Sequence, residues 1–574
     1  RGEMHKYRIC GCFTMRFGNG DAGPPGDVAE AFTKYSDGGE CMSSQQLAAF
    51  LRDEQGEDDA DILVEKMEQL RRPPHLVEKI GGTWPGFTID DFFFLLSSPE
   101  LNPPILGQVH HDMTKPLSHY FIYTSHNTYL KGNQLSSDCS EKPIVRALKM
   151  GVRVIELDLW PSSSGRRVQV KHGRTLTRPV DLVKCLKSIR DHAFEASPYP
   201  VIITLEDHLT PKLQAKVAKM LTRTFGDTIY RPETVFMEEF PSPHDLQHRI
   251  LVSTKPPKEY LQAMNSDSES VSDDDEEDDF GRSHSSHLAT NELEEELGEE
   301  YRQSKSLEYK NLIAIHSGKP KNGLKEALKI ENNKVRRLSL SEQSLENATA
   351  SHGMDIVRFT QKNLLRIFPK GTRLTSSNYK PQIAWMHGAQ LVAFNMQGYG
   401  QSLWMMHGMF TANGGCGYVK KPDYLVSSDE TWNTDKKLPP KLILKIKLYM
   451  GDGWKSDFKA THFDPYSPPD FYVRVGIAGV PGDSIMKRTK TKDDSWIPQW
   501  GEEFEFPMSC PELALLRIEV CEEDYLGVTP DFGGQTCLPI PELRRGIRAV
   551  ALRDRKGQAY KSVKLLVRIQ FTAC

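Results

Sequence analysis

Apolar residues recur three or four positions apart over residues 28–35, 44–52 and 60–70, and a short run over 90–96 has the same spacing. The first hundred or so residues therefore predict helices. From about residue 110 the spacing changes. Short apolar runs at 119–124, 152–159, 168–171, 201–205 and 250–253 predict strands, and the segments 143–149, 179–192 and 211–225 between them predict helices. Strands alternating with helices indicate a parallel sheet or a β/α barrel. The alternation stops at a Ser-, Asp- and Glu-rich stretch from 265 to about 300, which has too few core formers to fold. Strand-like runs return at 364–368, 390–395 and 418–420, so the simplest account is one barrel interrupted by an insertion. Beyond 439 the pattern is all strand, with runs at 442–450, 471–477, 503–506, 515–520 and 563–571 separated by Gly and Pro turns. That spacing predicts a β-sandwich.

Composition narrows the class. The 574 residues suggest about three or four domains, and 38% apolar residues with 25 Phe, 19 Tyr and 8 Trp supply cores for them. No window approaches the roughly 18 unbroken apolar residues of a membrane span, and the basic N-terminus lacks the apolar run of a secretory signal. Ten cysteines are too sparse for a disulfide scaffold, which points to a reducing, intracellular setting. Net charge is −4, but residues 267–300 hold 15 Asp and Glu against one Arg, a net of −14. The rest of the chain is then +10. A basic body suggests an anionic partner, a membrane surface or a nucleic acid.

Candidate chemistry is concentrated between residues 119 and 206. Ser125-His126-Asn127 follows one predicted strand. Glu156 and Asp158 are two apart, so a strand points both to one face, while Ile155, Leu157 and Leu159 point to the other. His172 follows the run at 168–171, and Glu206 follows 201–205. Three carboxylates and an Asn oxygen form a hard donor set suited to calcium rather than zinc. The two histidines could act as acid, base or electrostatic stabiliser. Residues at the C-terminal ends of barrel strands form the active site of that fold.

Three segments carry a resemblance. Phe121-Ile122-Tyr123-Thr124-Ser125-His126-Asn127-Thr128-Tyr129-Leu130 resembles the start of the X half of the phosphoinositide-specific phospholipase C barrel. Ser376-Ser377-Asn378-Tyr379 and Asn413-Gly414-Gly415-Cys416-Gly417-Tyr418-Val419 resemble its Y half. The resemblance spans nearly the whole chain and looks like the plant branch. It implies a multidomain α/β plus all-β protein: an EF-hand-like helical region at 1–105, a split (β/α)8 TIM-type barrel with its X half at 106–260 and Y half at 336–438, an acidic disordered linker at 261–335, and a C2 β-sandwich at 439–574. The loop over 37–41 lacks the oxygen ligands and closing Glu of a calcium loop, so the helical region reads as a metal-free relative.

The same resemblance implies roles. His126 would stabilise charge developing on phosphorus, and His172 would protonate the departing diacylglycerol oxygen. Asn127, Glu156, Asp158 and Glu206 would hold one catalytic Ca²⁺, with Glu156 or a neighbouring ligand carboxylate as general base. Lys255, Ser339, Arg366 and Phe368 would recognise ring phosphates. Ser253 stands where animal members have a second Lys, and Phe368 where they have Tyr. In the sandwich, Asp464 and Asp470, Asp493 and Asp494, and Glu522, Asp524 and Asp531 lie on three loops, as in C2 domains that bind membranes through Ca²⁺. The implied activity is calcium-dependent hydrolysis of phosphatidylinositol 4,5-bisphosphate to inositol 1,4,5-trisphosphate and diacylglycerol. The implied setting is cytoplasmic, peripheral on the inner face of the plasma membrane, with anionic phosphoinositide membranes as partner and no nucleic acid. Two rivals fit fewer residues: a glycerophosphodiesterase-like barrel, and a catalytically silent calcium-regulated membrane adaptor.

Overall fold

Eight parallel strands close into a ring in chain order: β1 (Thr124–Ser125), β2 (Val154–Pro161), β3 (Val201–Asp207), β4 (Ile250–Thr254), β5 (Ile313–Gly318), β6 (Arg337–Ser341), β7 (Leu364–Phe368) and β8 (Leu391–Phe394). The ring shuts where Ala393 and Phe394 of β8 pair with Thr124 and Ser125 of β1. This computed structural model describes residues 4–10, 13–18, 23–71, 86–234, 236–256, 307–318, 323–427, 432, 438–458, 463, 467–523 and 529–574. The acidic run 267–300 lies outside the described residues, as do Asp464 and Asp524.

Strand periodicity gives the barrel an apolar base and a polar mouth. Inward positions alternate along each strand: Val154, Glu156 and Asp158 on β2; Ile202, Thr204 and Glu206 on β3; Leu364, Arg366 and Phe368 on β7. The first of each set joins a buried cluster with Leu251, Ile315 and Leu391 that fills the base. The outward set, including Ile155, Leu157, Ile203 and Leu365, packs in the core under the surrounding helices.

Four expectations change. The run 168–171 is not a barrel strand: Val168–Val170 folds back antiparallel on the end of β2, pairing Val170 with Leu159. Of 119–124, only the last residue enters the ring. Tyr120–Ile122 instead pairs antiparallel with Tyr418–Lys420, which leaves the second segment outside the barrel as well. Their places are taken by β5 and β6. β5 lies inside the segment 261–335 expected to be linker, so the second half of the barrel starts before residue 336. Both strands were obscured by polar residues, His316 and the inward Ser317 on β5 and the inward Arg337, Ser339 and Ser341 on β6.

The C-terminal strands form an antiparallel sandwich around a buried core. One residue pair, Gln535 with Arg553, joins its halves. The helices Gly26–Tyr35, Ser44–Asp53, Ala60–Arg71 and Ile89–Ser97 match the sequence periodicity, and Cys41–Met42 pairs with Phe87–Thr88. Their core is shared with the sandwich through Tyr449, Met450, Ile547 and Leu566. Gln55 exchanges two 2.6 Å hydrogen bonds with the backbone of Ile547. The fully buried Arg548 pairs with Glu57 at 2.6 Å, and Arg544 pairs with the same carboxylate. The helical region is therefore built into the sandwich. Glu57→Ala leaves Arg548 buried without its carboxylate, which costs about 3–5 kcal/mol. Thermal unfolding of the full chain measures the loss.

Candidate active site

The mouth of the barrel gathers the side chains singled out above. β2 carries Glu156 and Asp158 inward, and the register sets Glu206 of β3 beside Asp158. One oxygen from each of the three carboxylates lies within 4.8 Å of the others. Glu156 is held on both oxygens: Arg366 donates to Oε1 and the Asn127 N–H to Oε2 at 3.0 Å. Asp158 Oδ2 accepts from the Tyr129 hydroxyl at 2.7 Å, while its buried Oδ1 has no partner. Burial, then Glu206 and Glu156, drive the Asp158 carboxyl well above its ordinary pKa. Glu206 is half exposed, and the neighbouring His208 at 3.2 Å holds it down at about 2.

Asn127 sits in the left-handed region at φ 43°, a conformation that Asn tolerates better than most residues. Its amide is oriented by a chain of hydrogen bonds that starts at a carbonyl. The Ser377 carbonyl accepts from Asn395 Nδ2 at 3.2 Å, so Asn395 Oδ1 faces the site. That oxygen accepts from Gln134 Nε2 at 3.0 Å and from His126 Nδ1 at 3.0 Å. Gln134 Oε1 then accepts from Asn127 Nδ2 at 2.9 Å, which leaves Asn127 Oδ1 as the atom able to ligate a cation. The Gln134 backbone carbonyl accepts from His172 Nδ1 at 2.7 Å. Both histidines thus carry their proton on Nδ1 and present Nε2. Burial pushes His126 below its ordinary pKa, with Glu156 opposing.

His172 reaches the mouth from the back-folded strand rather than from the ring. Gly173 is required beside it, because a Cβ there would lie 2.0 Å from the Trp160 ring. Trp160 in turn stacks on His208 with centroids 4.0 Å apart. Lys255 follows β4, Ser339 pairs in register with Arg366, and the Arg366 guanidinium lies 5.3 Å from the Phe368 ring centre. In the sandwich, Asp494 N–H donates to Asp470 Oδ1 at 2.7 Å and Glu522 pairs in register with Asp531. Among the described residues these acids form no three-carboxylate group.

Donor chemistry and geometry fit a hard cation at the barrel mouth. Three carboxylates converge beside Asn127, a buried oxygen of Asp158 has no partner, and the crowded negative charge is only partly answered by Arg366.

Sequence reading missed Gln134, Asn395, Tyr129 and His208. Tyr129 and Asn127 lie in one quoted segment, yet nothing local marks the tyrosine as a partner of Asp158. Gln134→Ala should lower turnover about 10² fold, since it releases Asn127, Asn395 and His172 together. Steady-state kinetics with an unchanged circular-dichroism spectrum tests this.

Family models match in four places: phosphatidylinositol-specific phospholipase C X domain at residues 113–256 and Y domain at 309–424, C2 domain at 442–556, and the phosphoinositide-specific phospholipase C EF-hand-like model at 25–72. The chain is 54% identical to phosphoinositide phospholipase C 4 of Arabidopsis thaliana, covering 99% of both chains. It is 34% identical to the 1-phosphatidylinositol 4,5-bisphosphate phosphodiesterase delta-3 of Mus musculus, covering 95% of this chain and 68% of that protein. The crystal structure of S. officinalis PLC21 has the same fold, with a TM-score of 0.72 at 23% identity over 95% of this chain and 68% of that one. With relatives this similar over nearly its entire length, the chain belongs to the phosphoinositide-specific phospholipase C family.

Proposed function

We propose that the protein hydrolyses phosphatidylinositol 4,5-bisphosphate to inositol 1,4,5-trisphosphate and diacylglycerol, with Ca²⁺ at the barrel mouth. The observation that carries the reading is the cluster of Glu156, Asp158 and Glu206, with His126 and His172 nearby and each presenting Nε2. A Ca²⁺ held by Asn127, Glu156, Asp158 and Glu206 would lower the pKa of the inositol 2-hydroxyl and neutralise phosphate charge.

This chain's own groups divide the remaining work. Glu156, or a neighbouring ligand carboxylate, takes the proton of the attacking 2-hydroxyl. The phosphodiester's negative charge draws a proton onto His126, whose Nδ1–H stays on Asn395, so that Nε2–H can meet charge developing on the phosphoryl oxygens. His172, protonated on both ring nitrogens in the substrate complex, gives its Nε2 proton to the departing diacylglycerol oxygen and keeps its Nδ1–H on the Gln134 carbonyl, which fixes its ring. The cyclic inositol phosphate so formed is opened by water through the reverse proton transfers. Lys255, Ser339 and Arg366 recognise ring phosphates, Arg366 through its planar fork, and Phe368 lies against that guanidinium. A glycerophosphodiesterase would have no use for this cationic set or for the sandwich.

Membrane contact is supported by three leucines near the mouth. Leu135, Leu176 and Leu374 are 46%, 79% and 50% exposed. Backbone hydrogen bonds of 2.9 Å link Leu176 to Leu135 and Gln134 to Leu374, so the three belong to one rim beside His172. Among the described residues, no helix is long and apolar enough to cross a membrane. Peripheral docking on an anionic lipid surface at the cytoplasmic face of the plasma membrane fits this rim. In the sandwich, Asp470, Asp494, Glu522 and Asp531, together with Asp464 and Asp524, are candidate ligands for further Ca²⁺ bridging to lipid phosphates.

The test is release of water-soluble inositol phosphates from vesicles containing each phosphoinositide, across a Ca²⁺ titration. Vesicle binding without release would favour the silent adaptor. Asp158→Asn should weaken Ca²⁺ binding and turnover together. His172→Ala should lower turnover about 10² to 10⁴ fold, with calorimetric Ca²⁺ affinity little changed. Equal loss of affinity in both variants overturns the division of roles. Replacing Leu176 and Leu374 by Ser should reduce vesicle turnover at least about 10-fold, from the apolar burial of two leucines. Hydrolysis of a soluble inositol cyclic phosphate should survive in that variant.

A further inference from the structure

Arg337 occupies the second inward position of its side of the barrel, above Val335 in the apolar base and below Ser339 at the mouth. It is 5% exposed. A guanidinium has five N–H donors, yet this one makes two bonds, both from Nη1: to Thr204 Oγ1 at 3.2 Å and to Ser253 Oγ at 2.9 Å. Its Nε is sealed from solvent and has no partner. Among the described residues, no carboxylate lies within 4 Å of it.

The other buried arginines among the described residues are answered. Arg153 donates to the carbonyls of Leu148, Gly151, Val152, Ala193, Ser197 and Tyr199. Arg548 has Glu57, and Arg366 has Glu156. Leaving a buried cation with two hydroxyls as its direct partners is costly, and the field of Glu156 and Glu206 offsets that cost only from a distance. Burial and the nearby Arg366 push its pKa down to about 9, with the more distant Glu156 and Glu206 opposing, so it remains charged at neutral pH.

Its surroundings point to an anion. Thr204 and Ser253 lie next to each other in register on β3 and β4, one inward step below Glu206 and Lys255. Ser339 is the next inward residue of Arg337's own strand, and Ser339 pairs in register with Arg366. Arg337 therefore lies beneath the group formed by Lys255, Ser339 and Arg366. The short side chain of Ser253 leaves room for the guanidinium, which reaches across from β6 to a position that β4 itself does not charge.

We propose that Arg337 is a specificity-determining residue, a cation in the barrel floor that attracts a ring phosphate of the inositol substrate into the pocket bounded by Lys255, Ser339 and Arg366. This rests on the phosphoinositide reading given above. The contribution is electrostatic and acts from below, so it favours headgroups in proportion to their ring charge. An unphosphorylated inositol ring gains nothing from it. Chemistry at the 1-phosphate stays with the histidines and the carboxylate cluster.

The test uses the full chain and three lipids in mixed micelles at saturating Ca²⁺: phosphatidylinositol, its 4-phosphate and its 4,5-bisphosphate. The readout is the ratio of kcat/KM for each phosphorylated lipid to that for phosphatidylinositol. Arg337→Met should lower the ratio for the bisphosphate about 10- to 100-fold, the effect of removing one unit charge near a phosphate in a partly screened site. Arg337→Gln keeps a donor for Ser253 and Thr204 without the charge, and should lower the ratio equally even if the Met variant is unstable. Adding Ser253→Lys to Arg337→Met returns a cation from the neighbouring strand and should restore much of the ratio. Proportional loss on all three lipids, with the ratio unchanged, overturns the proposal and leaves Arg337 a structural residue. An unchanged ratio at full activity overturns it as well. Failure of the unaltered protein to release inositol phosphate from any of the three lipids refutes the phosphoinositide reading instead, so the two failures are distinguishable.

Discussion

Three carboxylates brought within 4.8 Å repel one another, and the mouth of the barrel is organised around that repulsion. Arg366 and the Asn127 N–H hold Glu156, the Tyr129 hydroxyl supports Asp158, and His208 supports Glu206. These partners leave one buried oxygen of Asp158 without a bond and its carboxyl driven toward the neutral form. A divalent cation held there would relieve both conditions at once, by supplying a bond and by cancelling like charge. Of the two arginines in the lumen, Arg366 pairs with Glu156 directly, and Arg337 meets the cluster only through its longer-range field.

Holding such a cluster needs a rigid frame assembled from distant parts of the chain. The hydrogen-bond chain from Ser377 through Asn395 and Gln134 to Asn127 crosses between the two barrel halves, and the pairing of β8 with β1 closes the same seam. The acidic insertion divides the halves in sequence but not in the ring. Below them, an apolar base excludes water from the lumen. Beside them, helix Gln401–Met409 packs so closely on the sandwich that a Cβ at Gly408 would lie 2.5 Å from that of Cys537. The helical region is tied to the other side of the sandwich through Arg548 and Gln55. The described regions thus join through shared cores and buried polar pairs, which suits a site that depends on fixed angles.

Local pattern and composition alone determined much of this. The two-residue spacing of Glu156 and Asp158 fixes a shared face as soon as the segment is a strand, because side chains alternate with period two. The helical spacing of residues 28–35, 44–52, 60–70 and 90–96 survives in the folded chain for a similar reason, since one apolar stripe must face a core. His126, Asn127 and Glu206 were legible because each directly ends or follows an apolar run. What only the tertiary structure decided involves residues whose meaning is set by partners far along the chain. The β6 segment Arg-Leu-Ser-Leu-Ser reads as surface, and it becomes a barrel strand because its polar face points into a lumen rather than into water. His172 depends on a back-folded strand that no periodicity distinguishes from a ring strand. Gln134 gains its importance from Asn395, 261 positions away, and Arg337 from Ser253, 84 positions away. Periodicity is a property of neighbours in the chain, whereas hydrogen-bond partnership and uncompensated charge are properties of neighbours in space.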